Sequence, residues 1–94
     1  MKKNKNTEII ELIKGTFTPS EAREILLQLL DSKINFHNLK SWSSRERFGK
    51  PDQYSEQRLE YLKESRRKVE ALVLKSMNEE ETLTINSIIE INIE

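Results

Sequence analysis

No cysteine occurs among the 94 residues. That removes disulfides and cysteine-ligated metal sites, and it leaves the redox compartment unreported. Glycine and proline occur twice each, at Gly15, Gly49, Pro19 and Pro51, so turn signals are sparse. Aromatic residues are 6% of the chain and hydrophobic residues 35%, against 34% charged, with a mean hydropathy of −0.72. No apolar run is long enough for a membrane span. The N-terminal lysines precede Ile9, Ile10, Leu12 and Ile13, but Glu11 splits that run, so a secretory signal is not expected and the cytoplasm is the expected setting. A net charge is also missing: 16 basic residues balance 16 acidic ones. A strongly basic nucleic-acid binder is therefore not indicated overall, and neither is a self-repelling disordered chain.

A chain of this size hides at most about 65% of its extended surface on folding, roughly 16,000 Å² falling to roughly 5,700 Å². Its core material is thin, and such chains gain from a partner surface. Lys, Asn, Ile and Glu abound over Arg, Gly and Ala, as in proteins of AT-rich bacterial genomes, which carries no function.

The charge that is present is segregated. Residues 40–68 hold nine basic and five acidic side chains, net +4, while residues 69–94 hold one Lys and six Glu, net −5. The two regions attract each other, within one chain or between chains.

Thr18-Pro19-Ser20-Glu21 has the spacing of a capping box with proline at the first helical position. Ala22, Ile25, Leu26, Leu29 and Leu30 follow at three- and four-residue steps, which predicts a helix over 19–31. Asp31-Ser32-Lys33 reads as its end. Residues 34–39 are then a weak strand candidate, and 43–48 a short helical turn stopped at Phe48-Gly49-Lys50-Pro51. Asp52 is a good cap for a second helix over 53–77, whose stripe is Leu59, Leu62, Val69, Leu72, Val73 and Met77, interrupted by Arg66. At about 1.5 Å per residue that helix is longer than a compact body of this size covers.

From Leu83 to Glu94 the pattern alternates with period two, the mark of a strand with one buried face. It needs a partner edge. Residues 8–17 are the main candidate; they fit a strand, and also a short helix closed by Gly15, and the strand is preferred. The expected fold is therefore a small single α+β domain over 7–94, two helices on a sheet of the C-terminal and N-terminal strands, with residues 1–6 a flexible tail. Ile25, Leu26, Leu29, Leu62, Val69, Leu72, Ile85, Ile89 and Ile91 are the expected core.

Chemistry is scarce. His37 is the only histidine; it lies between Ile34 and Leu39 and reads as a packed or surface residue rather than a base or a metal ligand, since no second His or Cys joins it. Glu79-Glu80-Glu81 lacks EF-hand spacing and reads as a charged turn. No phosphate loop, dinucleotide fingerprint or nucleophile elbow occurs. No catalytic residue, cofactor or metal is expected. The most suggestive cluster is basic: Arg45, Arg47, Arg58, Lys63, Arg66 and Arg67 could contact phosphates, with Trp42, Phe36, Phe48 and Tyr54 near in sequence to stack on bases. Glu46, Glu56, Glu60 and Glu64 interleave with it, which is the pattern of a solvated, salt-bridged helix face. The expected function is accordingly non-enzymatic: protein interaction, including self-association as a symmetric homodimer that continues the sheet through Ile85, Ile89 and Ile91. Weak nucleic-acid binding through residues 45–68 is the alternative.

Overall fold

The structure, a computed structural model, describes residues 6–94. The order is β1 (Asn6–Phe17), α1 (Pro19–Phe48), α2 (Gln53–Asn78) and β2 (Leu83–Ile93). It is a small α+β domain: two helices form an antiparallel hairpin, and β1 and β2 pair antiparallel into a two-stranded ribbon. The expected tail at 1–6 lies outside the described residues except for Asn6, which is already in β1, opposite Ile93.

The capping box forms as read. The Thr18 hydroxyl accepts from the Glu21 amide, and the Glu21 carboxylate accepts from the Thr18 amide. The expected stop at residue 31 is a correction: α1 runs through it for 30 residues. Residues 34–39 are helix, not strand, and 43–48 are its last turns. Nothing between Ser20 and Phe48 is Gly or Pro, so no residue there breaks the helix sterically. Gly49 does, with φ 75° in the left-handed region, its amide returning to the Arg45 carbonyl. Asp52 caps α2 by accepting from the Ser55 amide.

The two helices meet along seams with alternating three- and four-residue steps. On α1 the seam is Leu27, Leu30, Ile34, His37, Ser41 and Ser44; on α2 it is Ser55, Leu59, Leu62, Arg66, Val69, Val73 and Ser76. Each of these is buried or half-buried. Ala22, Leu27, Leu59, Leu62 and Val73 are the buried apolar residues of the hairpin.

That overturns most of the expected core. Leu62 is buried; Ile25, Leu26, Val69 and Ile85 are half-buried; Leu29, Leu72, Ile89 and Ile91 are exposed. The reason is that the helices cover each other rather than lying side by side on the sheet. The ribbon meets only α1 to any extent, at its root, where Ile13 is buried and Ile25 and Leu29 line an apolar hollow with Leu12.

Leu12 is a bulge in β1, between the pairs Glu11–Ile88 and Ile13–Ser87. One extra residue shifts the parity of the strand. Ile10 and Ile13, three apart, therefore share the face that also carries Phe17, Leu83, Ile85 and Ile89. This explains why β1 also reads as a helix in sequence. The radius of gyration is 17.0 Å, against roughly 12 Å for a compact chain of this length. The extents are 49 × 37 × 17 Å, a flat and open body.

Candidate interaction surface

Along β2 the apolar face becomes progressively bare. Leu83, Ile85 and Ser87 are half-buried near α1, after which exposure climbs from 38% at Ile89 to 47% at Ile91 and 53% at Ile93. Ile10, opposite Ile89 on β1, is exposed as well. The opposite face is mostly polar. There Thr7 donates to the Asn92 side chain at 2.9 Å, a cross-strand bond between directly paired residues. Among the described residues, the distal half of the ribbon is thus a two-stranded sheet with an uncovered apolar side. Of the three expected interface residues, Ile85 sits at the covered root, and Ile89 and Ile91 lie on the bare half.

The basic residues take other positions. Arg66 occupies a seam position on α2 and reaches across to Asp31 of α1, Nε to Oδ1 at 2.8 Å and Nη2 to Oδ2 at 3.4 Å. Its Nη1 also lies 3.5 Å from Glu70, which takes Arg23 of α1 at 2.8 Å. The guanidinium bonded to Asp31 holds that carboxyl below its ordinary range, and Asp31 raises Arg66 in turn. The residue that interrupts the apolar stripe in sequence is therefore one of those that tie the two helices together. Arg67 pairs with Glu64 at 2.6 Å, and Arg45 lies 4.0 Å from Glu56. Arg58 stacks on Tyr61, 5.0 Å from the ring centroid. Lys63 shares a hollow with Arg45, Glu56 and Glu60, and Arg47 is exposed in the last turn of α1. At about 100° per residue, positions 58, 63, 66 and 67 spread over half the circumference of α2, so these cations do not form one face.

His37 is packed inside the hairpin. Its Nδ1 lies 3.0 Å from the Ser55 hydroxyl, and the rings of Phe36 and Tyr54 stand edge-on to it at 5.1 and 6.1 Å. Ser41 donates to Glu56 at 2.6 Å. The Ser55 amide and hydroxyl both lower the Asp52 carboxyl. His37, Ser41 and Ser55 give the seam a polar stretch near the tip of the hairpin, one that sequence patterning missed because small polar residues do not mark a helix face. In the turn between α2 and β2 the neighbouring Glu81 carboxyl raises that of Glu79, because a proton held by one can be donated to the other.

Among the described residues no group of three His, Cys, Asp or Glu side chains is arranged to hold a metal ion. No described helix is long and apolar enough to cross a membrane. Near the tip, on the flank where α1 meets α2, lies a shallow groove of ≈ 530 Å³ lined by Asn38, Leu39, Ser41, Trp42, Arg45 and Glu56. The chain matches no protein-family model, no curated protein and no solved structure.

Proposed function

We propose that the chain is a non-enzymatic interaction module that works by self-association, with the cytoplasm as its setting. The observation that carries this reading is the bare apolar half of the ribbon, Ile10, Ile89, Ile91 and Ile93. A two-stranded sheet with none of the described residues over its apolar side is marginal in water, and it is stable with further strands or a cover. The chain exposes 7701 Å², about 2,000 Å² more than roughly 5,700 Å² for a compact monomer of its mass. A standard protein interface takes roughly 800 Å² from each partner, so the excess on one chain is more than enough to supply one.

Weak nucleic-acid binding through residues 45–68 has less to stand on. Arg66 and Arg67 are held by carboxylates, and the cations point in different directions. Sedimentation equilibrium or light scattering at micromolar concentration tests the main reading. The expected mass is twice 11.1 kDa. A monomer with a cooperative melt rules self-association out. Binding to DNA or RNA with a steep salt dependence would favour the alternative.

A further inference from the structure

We infer that the second copy joins through the free edge of β2, antiparallel and centred on Ile88, to make one four-stranded sheet in the order β1-β2-β2-β1. This rests on the self-association reading and names the surface that performs it.

The two edges of the ribbon differ. β1 carries the bulge at Leu12 and a glycine at position 15. Bulges and strand glycines spoil an edge for further pairing. β2 has eleven residues without glycine, proline or bulge. Its row of outward amides and carbonyls is the one that a further strand fits.

The residues of β2 are self-complementary about its midpoint. With Ile88 on the two-fold axis, all eleven residues pair. On the apolar face Leu83 lies opposite Ile93 of the second copy, Ile85 opposite its Ile91, and Ser87 opposite its Ile89. On the polar face Thr84 meets Asn92, and Asn86 meets Glu90. Each Glu90 carboxylate therefore faces an amide rather than the other Glu90, and like charges directly opposite are what destabilise a strand pair. A shift of the register by one residue would set polar side chains beside the isoleucines.

Ile88 itself then has a reason. It is the apolar residue among Thr84, Asn86, Glu90 and Asn92 on the polar side of β2, and it is 58% exposed. At the axis it packs against its own copy. Because the axis is perpendicular to the sheet, both helical hairpins lie on the same face. The bare Ile91 of each chain falls beside the half-buried Ile85 of the other, next to the part of the sheet that α1 covers.

The chain has no cysteine, so single cysteines report the contact directly. Ile88→Cys is expected to form a covalent dimer under mild oxidation, and Lys14→Cys, on the β1 edge, to stay monomeric on a denaturing gel. Ile88→Lys puts like charges at the axis and is expected to raise the dimer Kd about tenfold or more, with an unchanged melt at concentrations where the chain is monomeric. A dimeric chain in which Lys14→Cys links and Ile88→Cys does not, or in which Ile88→Lys leaves Kd unchanged, overturns the β2 edge while self-association stands. A wild-type chain that is monomeric at micromolar concentration overturns both.

Discussion

The hairpin and the ribbon divide the same scarce apolar material in opposite ways. Along the hairpin seam every heptad position is at least half-covered, although five of its members are Ser or His and one is Arg. Along the ribbon the alternation is rich in isoleucine, yet its outer half stands in water. Coverage follows geometry rather than hydrophobicity. Two helices bring a continuous partner to each other over about 39 Å, the length of the shorter helix α2. The ribbon meets α1 only near its root, so each further residue pair lies farther from the cover. The hairpin is a finished unit with polar inclusions, and the ribbon is an unfinished sheet.

Paired truncations test that contrast most strongly. Leu62→Ala, in the seam, is expected to cost about 2–5 kcal/mol by thermal or denaturant unfolding. Leu29→Ala, 38% exposed at the edge of the ribbon hollow, should cost well under half as much. Equal losses would show that the ribbon root carries as much of the core as the seam does.

Next in size is the polar stretch of the seam. Ser55 is fully buried, and Ser55→Ala leaves the His37 ring nitrogen without its partner. A loss of about 1–3 kcal/mol is expected, the desolvation penalty of one unsatisfied buried group. A neutral result would mean that the seam admits water there.

Thr18→Ala removes the acceptor of the Glu21 amide at the junction of ribbon and hairpin. About 1 kcal/mol is expected. A much larger loss would show that the cap also fixes the ribbon against α1.

Acid gives the smallest effect, because the groups are exposed and screened. Arg66 keeps Asp31, and the Ser55 amide keeps Asp52, below the ordinary value of 3.8. A lowered carboxyl pKa adds stability that is present above the ordinary value and is lost as pH falls through the folded one. Asp31→Asn should therefore be less stable than the parent near neutral pH and converge with it in strong acid. A constant gap across that range would assign the effect to packing instead.

Much of this architecture is legible in the residues. The capping box at Thr18, the stop at Gly49, the cap at Asp52 and the C-terminal strand all rest on local chemistry, and all form as read. The pairing of the two terminal segments followed from the need of a strand for an edge. The candidate site was half legible: Ile89 and Ile91 belong to the bare face, whereas Ile85 is at the covered root. The basic cluster was visible only as composition, since nothing in the order of residues shows that Arg66 reaches Asp31.

By itself the sequence determined the start of α1, its stop at Gly49, the start of α2 and the C-terminal strand, because caps, breakers and periodicity act over a few neighbouring residues; that α1 runs unbroken through Asp31-Ser32-Lys33 was settled by the packing of the two helices. Only the tertiary structure decided which apolar residues are covered. Leu29 and Leu62 look alike as members of helical stripes, and Ile85 and Ile91 as members of one strand face. What separates them is the distance to the element opposite, set by a seam of Ser, His and Arg side chains and by one bulge at Leu12. Burial depends on what lies across a gap, and that is a property of the whole chain rather than of any segment.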